Sequence, residues 1–229
     1  MSFDFEAGEV LLIDKPLEWT SFDVVKKVRN AIRIKKVGHA GTLDPLATGL
    51  LILCTGKKTK TIDSIQARDK EYTGTFEVGA TTPSFDLETA VEVSGDWTTL
   101  THENIYAIAQ QMQGAQNQVP PMYSALQVNG VRLYKLARKG QEIEIQPRPI
   151  EISVFEITAI NLPTISFRIR CTKGTYIRSI ARDLGIKLGV GAYLSSLRRT
   201  QIGDINVANA YTMEDLLQII KQQKEESNL

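Results

Sequence analysis

The cleanest alternation in the chain runs through Ile165, Phe167, Ile169 and Cys171, interleaved with Ser166, Arg168 and Arg170. A period of two places the apolar set on one face of a β-strand. Tyr72, Gly74, Phe76 and Val78 alternate with Thr73, Thr75 and Glu77 in the same way, and Ile143 and Ile145 with Glu142 and Glu144. Such one-sided strands predict a largely antiparallel or mixed sheet with helices on one face, rather than a doubly wound parallel sheet. Val10 to Ile13 reads as a short apolar strand ending at the turn signal Asp14-Lys15-Pro16, and Leu50 to Cys54 as a buried strand.

Helical spacing replaces alternation at Phe22, Val25, Val28 and Ile32, predicting a helix over about 21–33 that Thr20 and Asp23 open as a capping box. Thr101 caps a second helix, with Ile105, Ile108, Ala109 and Met112 as its core stripe. Ile177, Ile180, Ala181, Leu184 and Leu188 mark a third, which Gly174 and Thr175 open and Gly189 ends, with Arg178 in its first turn. Thr212 and Asp215 cap a last helix through Met213, Leu216, Leu217 and Ile220, and the polar tail is expected to fray from about residue 221. Asn129-Gly130 is the favoured pair for a tight turn. No internal repeat or low-complexity linker divides the chain, so a single α+β domain over 1–229 is expected.

Composition narrows the function classes. A chain of 229 residues can bury a sizeable core, and 42% hydrophobic with 23% charged residues excludes disorder away from the ends. No apolar run approaches the roughly 20 residues that span a bilayer. The acidic start Met-Ser-Phe-Asp-Phe-Glu is no leader, so a cytoplasmic location is expected. Cys54 and Cys171 lie in apolar runs without a paired motif; with only His39 and His102 beside them, they read as reduced core residues and not as a zinc site. The net charge of +1 conceals clusters at Lys26, Lys27, Arg29, Arg33, Lys35 and Lys36, at Lys57, Lys58 and Lys60, at Arg132, Lys135, Arg138 and Lys139, and at Arg198 and Arg199. Each can track phosphates or be a solvated face.

Candidate chemistry lies in Gly38 to Leu51, G-H-A-G-T-L-D-P-L-A-T-G-L-L, where Asp44 is a lone carboxylate among small and apolar residues. Burying a carboxylate is costly without a compensating partner, so its placement suggests a task. Pro45 pushes Asp44 toward an extended conformation and makes it a turn residue. For a bare Leu-Asp-Pro, an Asx turn before a strand is the structural alternative. Gly49 and Gly56-Lys57 superficially suggest a phosphate-binding loop, but six residues separate the glycines instead of four and Lys58 stands where Ser or Thr is needed, which argues against nucleoside triphosphate binding.

The whole string resembles the catalytic loop of the TruB family, the bacterial tRNA pseudouridine-55 synthases, whose G-x-L-D-P-x-A-T-G carries an Asp nucleophile. The likeness extends over roughly residues 9 to 217. D-K-P-L-E-W-T-S from Asp14 is similar to the family's D-K-P-x-G-x-T-S, with Glu18 at the usual Gly, and gives Lys15 and Pro16 supporting roles. Lys70-Glu71-Tyr72 with Val78-Gly79 resembles K-x-Y-x-x-x-x-x-L-G, which implies that Tyr72 stacks on the target base; from spacing alone it reads as a core aromatic. In T-T-P-S-F-D-L-E, Pro83 replaces the first Asp of T-D-T-x-D-x-x-G and Asp86 keeps the second, which helps hold the catalytic Arg. P-P-M-Y-S-A-L-Q follows the family's P-P-x-Y-S-A-L-K with Gln127 in place of Lys. C-T-K-G-T-Y-I-R-S-I-A-R-D-L-G implies that Arg178 partners the catalytic Asp and that Tyr176 contacts substrate. G-A-Y-L-S-S-L-R-R matches in part and puts Leu197 under the uracil, while His39 takes the place of a wedge into the RNA.

The resemblance implies the pseudouridine synthase fold, with a mixed, largely antiparallel central sheet flanked by helices. It implies isomerisation of uridine at position 55 in the T-loop of tRNA, with Asp44 as nucleophile and with no cofactor or metal. The expected partner is the T-arm of tRNA, with no protein partner, no membrane and a monomeric enzyme; no C-terminal domain of the PUA type is expected. Two other readings remain: a tRNA-folding chaperone or RNA-binding module using the same surface, and an RNA-guided synthase, against which that expected absence argues.

Overall fold

The computed structural model describes residues 3–128, 130–141 and 143–227. In chain order its elements are β1 (Val10–Lys15), α1 (Ser21–Ile32), β2 (Val37–His39), β3 (Ala47–Thr55), α2 (Ile62–Gln66), β4 (Lys70–Val78), β5 (Ala80–Thr81), β6 (Glu92–Val93), α3 (His102–Gln111), β7 (Gly114–Gln118), β8 (Gln127–Val128), β9 (Val131–Arg132), α4 (Leu133–Ala137), β10 (Arg148–Asn161), β11 (Thr164–Cys171), α5 (Ile177–Leu188), β12 (Ala192–Ile202), β13 (Ile205–Asn206) and α6 (Met213–Ser227). The chain divides into two compact units, Met1–Tyr72 with Leu197–Leu229, and Thr73–Ser196. Strands β4 and β12 contribute residues to both.

The first unit is built around β3, an apolar run in which every residue but Thr48 is buried. Strand β1 pairs antiparallel with it, from Val10 opposite Cys54 to Lys15 opposite Gly49. Along the other edge β12 pairs in parallel with Ala47 to Gly49, and β2 pairs antiparallel with Leu53 to Thr55. One face of β3 carries Leu50, Ile52 and Cys54, packed with Ala40, Ile65 and Ile202. The opposite face carries Leu51 and Leu53 beside Leu11 and Ile13, all buried. Both faces of β3 are thus buried, as its lack of alternation predicts for a strand covered on both sides.

Helix α1 forms with its capping box: the Thr20 hydroxyl accepts from the Asp23 amide, and the Asp23 carboxylate accepts from the Thr20 amide. Its buried stripe is Ser21, Val24, Val25, Val28 and Ile32. Phe22 lies one step of about 100° outside that stripe and is 61% exposed, not in the core as expected. Strand β1 continues through the expected turn to Lys15, whose side chain is fully buried. The polar tail is helical to Ser227 rather than frayed from 221. Gln223 exchanges two hydrogen bonds with the Phe3 backbone, at 2.9 and 2.6 Å, and the Lys224 ammonium donates to the Ala31 carbonyl at 2.5 Å.

In the second unit the strand order is β12-β4-β11-β10-β7. Strand β10 pairs antiparallel with both β11 and β7. Ile165, Phe167, Ile169 and Cys171 are buried as their alternation predicts, and Phe167 stacks on Phe76 with ring centroids 4.1 Å apart. The strand expected at Ile143 and Ile145 does not form: residues 143–147 have no regular structure and β10 begins at Arg148, opposite Gln118. Past Gln118 the partner chain runs into Pro120 and Pro121, which have no N–H to continue a ladder. Glu142, and Asn129 of the expected tight turn, lie outside the described residues; Gly130 takes φ +78° between β8 and β9. Helix α5 ends at Gly189, φ +77°, as expected, but Thr175 does not cap it: its hydroxyl donates to the Thr172 carbonyl, and Tyr176 is the capping position, whose side chain does not accept from the helix amides.

Candidate active site

Asp44 sits half-buried in the loop between β2 and β3, and neighbouring elements hold that loop at several points. Ser21, buried at the start of α1, accepts from the Leu43 amide at 2.8 Å and donates to the Leu43 carbonyl at 3.1 Å. The Glu18 amide donates to the Pro45 carbonyl at 2.9 Å. Glu18 takes φ +67°, so the turn keeps the left-handed geometry for which the family's Gly is suited, even without that Gly. Behind Pro45 the Ala47 amide closes a turn on the Asp44 carbonyl at 3.1 Å.

Two buried cations complete the frame. The Lys15 ammonium donates to the carbonyls of Pro16, Trp19 and Pro45 at 2.9, 2.6 and 3.3 Å. Burial pulls its pKa from 10.5 down to about 8; the Asp44 carboxylate opposes the drop and the Arg199 guanidinium adds to it. Arg199, 1% exposed, donates to Leu50, Gly41 and Thr42 carbonyls. His39, half-buried at the end of β2, is pushed below its usual pKa, first by burial and then by the Arg199 charge, with the Gly41 backbone offsetting part of the effect. Its Nδ1 is buried without a hydrogen-bond partner. Leu197 is half-buried on β12 in register with Ala47, Tyr72 is buried on β4, and half-buried Pro16 follows β1.

The second unit organises Arg178, Tyr176 and Asp86. Arg178 is 4% exposed in the first turn of α5, where the helix dipole disfavours a cation. Its Nη1 donates to the Tyr123 carbonyl at 2.8 Å, and its Nε lies 3.5 Å from Asp86 Oδ2. Asp86 also caps its own loop by accepting from the Glu88 amide. Around Pro83 the Thr82 and Ser84 hydroxyls both donate to the Asp86 carbonyl, so hydroxyls shape the segment in which the family's first Asp is missing. The Gln118 side-chain amide exchanges two hydrogen bonds with the Tyr176 backbone, and the Ser179 hydroxyl donates to Val119, which fixes the start of α5. Gln127 is exposed on β8.

The basic clusters divide. Lys26, Lys27, Arg33, Lys35, Lys36, Lys57, Lys58 and Lys60 are exposed. Arg198 and Arg199 are not a phosphate surface: Arg198 makes a two-pronged pair with Asp14 at 2.9 and 2.6 Å, and Arg199 is inside. Sequence reasoning did not assign Ser21 or Arg199 a part in the loop, although Ser21 closes the D-K-P-L-E-W-T-S string. Among the described residues no group of His, Cys, Asp and Glu is arranged to hold a metal ion, and no helix is long and apolar enough to cross a membrane.

A family model described as TruB family pseudouridylate synthase (N terminal domain) matches residues 29–177, and one described as tRNA pseudouridylate synthase B C-terminal domain matches residues 178–229. Curated relatives include the tRNA pseudouridine synthase B of Chloroherpeton thalassium, 53% identical over 218 residues that cover 93% of this chain and 90% of the relative. That of Flavobacterium johnsoniae is 51% identical over 214 residues, with 90% and 93% covered. Among solved structures the chain is similar to one from a Cbf5-Nop10-Gar1 complex, with a TM-score of 0.75 at 26% identity. That match covers 97% of this chain and 57% of the solved one, so the chain spans a little over half of it. With the family match running over most of its length and relatives this close, the chain belongs to the TruB family of pseudouridylate synthases.

Proposed function

We propose that the protein isomerises uridine to pseudouridine in tRNA, at position 55 of the T-loop, with Asp44 as the nucleophile. The carboxylate attacks C1′ as the N1 to C1′ bond breaks; the freed uracil turns, C5 joins C1′, the carboxylate leaves, and C5 gives up its proton. The observation that carries this reading is the frame around one loop: Ser21, Lys15, Glu18 and Arg199 hold the backbone on both sides of Asp44, itself a half-buried residue. Reactive groups need such preorganised support, and an ordinary Asx turn does not.

The remaining roles follow the chemistry. Tyr72 gives the extruded base a π-face to replace lost stacking, Leu197 an apolar floor, and Tyr176 a further contact with the substrate. His39 fills the gap left in the RNA. Arg178 supplies a positive charge to the reaction and Asp86 steadies it, while Lys15 and Pro16 support the loop. The enzyme acts as a monomer in the cytoplasm on the folded T-arm, without a protein partner.

Tritium release from a tRNA transcript labelled at uracil C5 tests the proposal. Release that requires both Asp44 and the T-loop uridine is expected, and Asp44→Asn reduces it to background. The exposed lysines of α1 and of residues 57–60 favour a second reading, an RNA-binding module that acts on tRNA folding. Tight T-arm binding by the wild type with no tritium release would support that reading against the first.

A further inference from the structure

Arg199 is among the largest fully buried side chains of the chain, and every hydrogen bond described for it goes to a backbone carbonyl. Nε reaches Leu50 at 2.7 Å, Nη2 reaches Gly41 at 3.0 Å and Nη1 reaches Thr42 at 3.4 Å. Gly41 and Thr42 precede Asp44, and Leu50 follows it in β3. One planar guanidinium thus ties the incoming and outgoing arms of the loop together. The arrangement is built from both sides: Arg199 is in register with Gly49, which at φ +100° lies so close to the Arg199 backbone that no side chain fits between them. The ion pairs described for the chain include its neighbour Arg198, on Asp14, but not Arg199. A buried cation held only by neutral carbonyls is costly, and the same three carbonyls could not all be reached by a point-like ammonium.

We propose that Arg199 is a positioning residue, a clamp across the loop that holds Asp44 in its reactive place while taking no part in holding the RNA. This rests on the assignment of Asp44 as nucleophile. The fork of N–H donors fixes the separation of the loop's two arms, and the carboxylate between them inherits that separation.

The full chain is compared as wild type, Arg199→Lys and Arg199→Gln, by single-turnover tritium release at saturating enzyme, by filter binding of the same tRNA, and by urea midpoint. A misplacement of about 1 Å costs on the order of 100-fold in rate. Arg199→Gln is therefore expected to lose about that factor in single-turnover rate, with tRNA affinity unchanged within about 3-fold. Arg199→Lys, which keeps the charge but reaches fewer carbonyls, recovers only part, remaining about 10-fold below wild type. Where Arg199→Gln does not fold, Arg199→Lys alone decides. Wild-type turnover by a folded Arg199→Lys or Arg199→Gln overturns the clamp, and so does a rate loss that tracks weakened tRNA binding. Absence of tritium release from the wild type instead refutes the assigned activity.

Discussion

Gly49→Ala puts the close approach of β3 and β12 to a quantitative test. A Cβ built on Gly49 would lie 2.3 Å from the Arg199 carbonyl oxygen and 2.8 Å from its nitrogen, on backbone that has no flexible end to swing away. Relief requires one strand to move by about 1 Å, the regime in which overpacking costs about 1–3 kcal/mol. The φ of +100° adds the left-handed penalty of a non-glycine residue, about 1–2 kcal/mol. Together these come to about 2–5 kcal/mol, a large part of a typical 5–15 kcal/mol stability. Gly189→Ala is the control: φ is +77°, nothing lies within 4 Å, and only the backbone penalty applies. Urea unfolding with unchanged m-value should show Gly49→Ala destabilised by about 1–3 kcal/mol more than Gly189→Ala. Equal or smaller loss at Gly49 would falsify the steric reasoning.

Three further outcomes are expected. Glu18→Gly relieves the left-handed strain at φ +67° and should raise stability by about 0.5–1 kcal/mol in thermal or urea melts; a lower melting point refutes the strain argument. Lys15, with its pKa depressed to about 8, is charged in both folded and unfolded chains below that pH; as pH rises from 8 toward 10.5, the unfolded chain keeps a proton that the folded one has lost, so stability contributed by this group rises. A shift of that size corresponds to about 3 kcal/mol, seen as a widening gap in urea midpoint between wild type and Lys15→Met over this range, and parallel pH curves would count against it. Asp86→Asn removes the charge 3.5 Å from buried Arg178 and should cost about 3–5 kcal/mol in unfolding experiments; near-neutrality would mean that Asp86 does not hold the guanidinium.

Much of this is legible in the sequence. The β11 alternation, the α1 capping box, the α5 stripe with its terminal Gly189 and the apolar β3 are local patterns whose periods match their structures. The Asp44 loop was legible because a long contiguous string was present, and Asp86 could be paired with Arg178 only through the family resemblance. Other features depended on partners distant in sequence. Ile143 and Ile145 alternate correctly, yet among the described residues no strand pairs with them, and the ladder of β7 with β10 stops at Gln118, two residues before Pro120 and Pro121. The tail from Lys221 reads as solvated but is tied to Phe3 and Ala31. Phe22 fits a helical spacing but not the stripe that is buried.

By itself, the sequence determined the kinds of element and the family, and it singled out Asp44 as the candidate nucleophile, because these depend on short-range periodicity and on side chains close together along the chain. Only the tertiary structure decided the destinations of the charged side chains. Arg199 reads as part of an exposed basic cluster and Lys15 gains a supporting role only through the family resemblance, yet both are interior donors to the loop carbonyls. The physical reason is that a cation's place depends on which acceptors converge on it from remote segments. That convergence is created when β1 and β12 pair with β3, and no local pattern encodes it.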